Sequence, residues 1–219
     1  MIVWLASGQP KYPSQDGRIA YISDIGASYL KPLFVAGCSF TAVGFSLCLI
    51  VERYLRYSGR LLPHMRKREK ILSTLAVLGA MLGGCGLILL SVFDTMRYPS
   101  VHRVFLLVFM AGVALSAIFT CVEYRWISKD FVFAKELRAA YWSKAIIVTI
   151  LICLSIAFAI TLFTASDVGA VLEWLISFSF TAYIMSYFFD LRMSKGRYKG
   201  ELHASVDMSQ VLQRTSSDS

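Results

Sequence analysis

The sequence contains no asparagine, so it has no acceptor for N-linked glycans. Charge is scarce: only 16% of the 219 residues are Asp, Glu, Lys or Arg, against about 25% in an ordinary soluble domain. No HExxH, GxGxxG, Walker loop or zinc-ligand spacing occurs, and no CxxC. Dedicated metal, nucleotide and dithiol redox chemistry therefore have no motif to stand on, and no cofactor is expected. The five cysteines, Cys38, Cys48, Cys85, Cys121 and Cys153, all fall within apolar runs and read as small buried hydrophobes. The opening "MIVWLASGQP" lacks a basic n-region and its apolar run is too short for a signal peptide.

What the chain has instead is apolar length. Hydrophobic residues make up 57% of it and are gathered into five blocks, 33–51, 71–92, 104–122, 145–163 and 170–189. Only the last contains a charged residue, Glu173. About 20 helical residues cross a hydrocarbon core, and lipid offers an unpaired backbone no partner. The blocks therefore predict an all-α, polytopic bundle of five spans over 33–189. It is preceded by an extracytosolic segment, 1–32, and followed by a mostly disordered tail, 190–219.

Seventeen of the 22 lysines and arginines lie in segments 52–70, 123–144 and the tail, and five in the alternate segments. The positive-inside rule then places the N-terminus outside and the C-terminus in the cytosol. The net charge of +8 is a topology signal, and no nucleic-acid partner is expected.

Helices in lipid associate through close packing. Gly79 and Gly83 are four apart in one block, and Gly112, Ser116 and Thr120 repeat that spacing in the next. These small faces suit either contact between the two spans or dimerisation. Ionisable residues expected at the outer face form a candidate polar cluster: Ser23, Asp24, Asp94, His102, Arg103 and Glu173. Carboxylates beside an imidazole are what hydrolytic or acid–base chemistry requires, so Asp94, His102 and Glu173 are the catalytic candidates. Pairing of Asp94 with Arg97 or Arg103, and a structural network touching a lipid head group, are the competing readings. At the cytosolic end Glu123, Tyr124 and Arg125 read as an interfacial border. Two basic clusters, Arg66, Lys67, Arg68 and Lys70, then Arg192, Lys195, Arg197 and Lys199, are placed to attract anionic lipid. No metal site is expected.

The order of four stretches is informative: "YISDIGA", "GLILLSVFDTMRYPSVHRVF", "FTCVEYRW" and "VLEWLISFSFTAYIMSYFFDL". Together they resemble the DRAM/FRAG/SFK family of damage-regulated autophagy modulators, GPI-anchor lipid-remodelling factors and fungal proteins acting with phosphatidylinositol 4-kinase. The fungal lipid-regulator wording is the nearest. The resemblance implies a non-enzymatic regulator or scaffold of lipid organisation and phosphoinositide signalling at the plasma membrane. Its cytosolic face would meet phosphoinositides or a kinase complex. Two alternatives remain open: an autophagy modulator of endolysosomal membranes, and an intramembrane lipid-remodelling enzyme. That family typically has six spans, which makes "MIVWLA" a remnant of a missing first one.

Overall fold

The computed structural model describes Ala6, Gly8 and residues 10–15, 17–58, 67–130, 135–162 and 164–192, with side chains placed except at 127–141, 189, 190 and 192. Among the described residues all regular structure is helical. A short α1 (Ile22–Gly26) is followed by α2 (Lys31–Tyr57), α3 (Lys67–Val92), α4 (Pro99–Asp130), α5 (Lys135–Thr161) and α6 (Ser166–Arg192). Helices α2 to α6 are each long and apolar enough to cross a membrane. The chain is thus an integral, multi-pass, all-α membrane protein.

Each helix outlasts its apolar block at one or both ends. Hydropathy reports the thickness of the hydrocarbon, whereas the helix continues through the polar interface wherever its backbone ladder is intact. Helix α2 is the consequential case. It begins with Pro32 in its first turn, where a missing N–H is harmless, and runs on to Tyr57. Glu52, Arg53 and Arg56 are thereby carried on a helix, not on a loop.

Around the bundle α2 packs on α3, α3 on α4, α4 on α5 and α5 on α6, and α6 returns to α2. The α3–α4 pair is the most intimate, and glycine makes it so. A Cβ on Gly79 would come 2.9 Å from the Ser116 nitrogen, and one on Gly112 only 2.4 Å from the nitrogen of Gly83. The backbones themselves are in contact, which is how small residues hold helices together in lipid. The α2–α6 seam is aromatic instead. Phe45 meets Phe180 edge-on at 5.3 Å and lies 6.0 and 6.4 Å from Tyr183 and Tyr187.

Polarity is distributed for a lipid solvent. Leu33, Phe40, Ile160, Phe178 and Met185 lie on the bundle's outer surface, while Glu52, Arg53, Ser73, Ser116, Thr120, Glu123 and Lys144 are buried within it. Two of the cysteines differ from the sequence expectation: Cys85 and Cys153 are exposed on the helix surface, and Cys38, Cys48 and Cys121 are partly buried. An apolar thiol in lipid has no driving force to turn inward.

Candidate functional site

Two polar layers lie at opposite ends of the bundle. The first is built around "YISDIGA". Residues 22–26 form α1, and Asp24 holds that turn from within by accepting the Tyr21 N–H at 3.2 Å and the Ser14 hydroxyl at 2.6 Å. Gly26 lies flat against the Phe34 ring, leaving no room for a Cβ. The outer turns of α6 hold the segment from the other side. Glu173 accepts the Ile22 N–H at 2.6 Å and hydrogen bonds to Ser23 through both backbone and hydroxyl. Asp167 accepts the N–H groups of Arg18 and Ile19. Trp174 donates its indole N–H to the Ala20 carbonyl at 3.2 Å. Residues 12–15 and 17–26 are thus a plug strapped to α6 by two carboxyl groups and an indole.

Beneath and beside this plug are two adjoining cavities. One, of about 390 Å³, is polar, and its walls include Ser23, Asp24, His102, Arg103 and Glu173. The other, of about 410 Å³, is apolar, bounded by Ile22 and Ile25 of α1, Phe34 of α2, Phe109 of α4 and Phe180 of α6. Leu106 and Glu173 line both. Helix α1 separates them by its own amphipathicity, with Ser23 and Asp24 toward the polar chamber and the two isoleucines toward the apolar one.

Five of the six residues predicted for the outer cluster therefore share one chamber. Asp94 is occupied elsewhere. It forms an ion pair with Lys31 and accepts the Arg97 N–H at 2.7 Å, so its salt partner is Lys31, not Arg97 or Arg103. Burial works against its charge, but the Lys31 ammonium and the Arg97 N–H outweigh that and hold the carboxyl below its ordinary range. Across the turn, His102 Nδ1 is 2.9 Å from both the Leu90 and the Phe93 carbonyl oxygens. Two carbonyls can only accept, so Nδ1 carries the proton and caps the end of α3. Nε2 is buried, with no hydrogen-bond partner among the described residues. No group of three metal-ligating side chains forms among the described residues.

The second layer is the one sequence reasoning missed. Glu52, Arg53 and Arg56 of α2 interlock with Thr120, Glu123 and Tyr124 of α4. Arg53 bridges Glu52 at 2.8 Å and Glu123 at 3.0 Å and donates to the Thr120 hydroxyl at 3.0 Å. Arg56 pairs with Glu52 and, at 2.8 Å, with Glu123. The Tyr124 hydroxyl donates to Glu52 at 2.8 Å, and its ring lies 4.2 Å from the Arg56 guanidinium. Lys144 of α5 completes the layer, its ammonium 3.4 Å from the centre of the Tyr187 ring of α6. Glu52 and Glu123 are fully buried. Glu123 and Tyr124 are therefore not an interfacial border but the centre of a four-helix ionic clasp; Arg125 alone of that trio is exposed. A signal was available. Glu52 and Arg56 are four apart, and Glu123 continues the small-residue face of Gly112, Ser116 and Thr120 that turns toward the bundle.

The basic clusters are partly in view. Lys67, Arg68 and Lys70 are exposed on the first turn of α3, at the clasp end. Arg66, Lys195, Arg197 and Lys199 lie outside the described residues, and Arg192 ends α6 with its side chain not described.

A family model described as the Frag1/DRAM/Sfk1/Cwh43P N-terminal domain matches residues 1–194. Among curated proteins the chain is similar to Protein sfk1 of Schizosaccharomyces pombe, 31% identical over 194 residues, covering 87% of this chain and 58% of that one. It is also similar to Protein SFK1 of Saccharomyces cerevisiae, 24% identical over 172 residues, 65% of this chain and 49% of that one. The chain spans about half the length of these relatives. No solved structure matches. With the family model covering most of the sequence and both relatives fungal, the chain belongs to the Frag1/DRAM/Sfk1 family, on its fungal Sfk1 branch.

Proposed function

We propose that the protein is a non-enzymatic membrane regulator of lipid organisation and phosphoinositide signalling. In this reading the clasp end faces the cytosol, the plug faces outward, and the plasma membrane is the site of action. The observation that carries it is a division among the basic residues. Arg53, Arg56 and Lys144 are buried in the clasp, whereas Lys67, Arg68 and Lys70 stand exposed at the same end. Exposed juxtamembrane cations attract anionic head groups at about 1 kcal/mol each, and they offer a landing surface for a phosphatidylinositol 4-kinase complex. The lipid-remodelling reading has less support, because Asp94 is engaged by Lys31 and Arg97 and does not line the chamber that holds His102 and Glu173.

The test uses the protein in neutral-lipid nanodiscs and a fluorescent short-chain phosphatidylinositol 4-phosphate. Replacing Lys67, Arg68 and Lys70 by Gln, together with Arg66, should weaken binding by at least ten-fold. Arg125→Gln, a single exposed charge, should change it far less. Equal affinity in the quadruple variant and the parent overturns the proposal.

A further inference from the structure

The two adjoining cavities at the plug end have the polarity of one amphiphile. We propose that they form a binding site for a single membrane glycerophospholipid bearing a primary ammonium head group, with the head in the polar chamber and an acyl chain in the apolar one. This site lies at the opposite end of the bundle from the basic face and does not depend on it.

The apolar chamber opens sideways toward lipid. Helices α2 and α6 meet tightly where Phe45 packs on Phe180 and Tyr183. Nearer the plug their facing residues, Leu33 and Gly37 on one and Ser177 and Thr181 on the other, line the cavity yet are exposed. A Cβ on Gly37 would meet nothing within 4 Å. A cavity of about 410 Å³ has the capacity of a small-ligand site, which runs from roughly 300 to 1,000 Å³. It suits a hydrocarbon chain entering from the bilayer and is too small for another membrane helix.

The polar chamber selects the head. Its walls carry two carboxyl groups, Asp24 and Glu173, the exposed Arg103, and the His102 imidazole, whose buried Nε2 has no partner among the described residues. Both carboxyl groups are bound within the plug, but a carboxyl oxygen has two lone pairs and can accept a second donor. Three acceptors around one space call for a cation with several N–H donors, and the arginine at its edge calls for an anion. An ammonium joined to a phosphate through a two-carbon link satisfies both. A quaternary ammonium supplies the charge without a donor, so Nε2, which in this proposal accepts from the head group, distinguishes ethanolamine-type from choline-type heads.

The full chain in nanodiscs is labelled with phosphatidylethanolamine and phosphatidylcholine analogues that carry the same photoreactive acyl chain. Labelling in α2 and α6 around Gly37 and Ser177 should favour the ethanolamine lipid by about ten-fold, the worth of a hydrogen bond to a charged group. His102→Asn keeps a donor for the Leu90 and Phe93 carbonyls while removing the Nε2 acceptor, and should bring the two lipids to parity. Gly37→Phe should abolish labelling by both, and Arg103→Gln should weaken both alike. Equal labelling of the unsubstituted protein overturns the head-group assignment. Labelling that survives Gly37→Phe, or that falls wholly outside α2 and α6, overturns the site.

Discussion

At the scale of single residues, Asp94 shows how a loop carboxylate at a membrane edge becomes a structural hinge. It joins the start of α2, through Lys31, to the turn that carries the chain from α3 into α4. Its folded-state pKa is depressed, so the stabilisation is fully present above the ordinary value of 3.8 and is lost as pH falls below it. Asp94→Asn retains an acceptor for the Arg97 N–H but loses the ion pair. Since Lys31 is partly exposed, the expected loss at neutral pH is modest, about 0.2–1 kcal/mol. The diagnostic is shape: thermal unfolding in detergent followed downward from pH 7 should show a shallower acid limb in the variant. Asp167 permits a sharper local test, because its carboxylate accepts two backbone N–H groups from a segment about 150 residues away. Asp167→Ala should speed deuterium uptake at Arg18 and Ile19 by about five-fold or more, while uptake in α3 and α4 stays unchanged.

At the scale of elements, the spans were legible because each apolar block matches the thickness of hydrocarbon, a constraint that no tertiary context can override. Their ends were not. Hydropathy falls away at Val51, yet α2 continues to Tyr57 because its polar residues find partners on α4 instead of water. The α3–α4 contact was foreshadowed by glycine spacing, which favoured packing between the two spans but left dimerisation as an alternative; the backbone approach at Gly112 is what places the contact within the chain. Gly112→Leu should therefore separate the two helices at a cost of more than about 1–3 kcal/mol, the ordinary penalty for overpacking. Gly84 is the control: a Cβ there would meet Ala42 and Ser46 at 3.5 Å, an ordinary contact, so Gly84→Ala should leave the unfolding midpoint close to that of the parent.

At the scale of the whole molecule, the bundle is fastened differently at its two ends. At one, carboxylates of α6 hold a plug over a two-part cavity; at the other, two glutamates and three cations lock four helices. The plug-end chamber could be anticipated in part, since Ser23, Asp24, His102, Arg103 and Glu173 all belong to segments that topology brings to one side. The clasp left only the four-residue spacing of Glu52 and Arg56 and the place of Glu123 on a small-residue face, because a charge at a span's end reads the same whether it faces water or a partner helix. Its energetics follow from isolation. A buried ion pair adds little net stability, but removing one partner strands the other charge at about 3–5 kcal/mol. Glu123→Ala leaves Arg53 and Arg56 to share Glu52 and should lower the unfolding midpoint strongly. Replacing Glu123 together with Arg53 by residues of similar size, Glu123→Gln with Arg53→Met, removes a carboxylate and a cation together and should recover much of that loss. A double-mutant cycle in detergent, with Glu123→Gln and Arg53→Met measured singly and combined, checks the coupling. Strictly additive effects would mean that Arg53 and Glu123 bear no mutual load and that the Arg56 and Tyr124 contacts hold α2 to α4 without them.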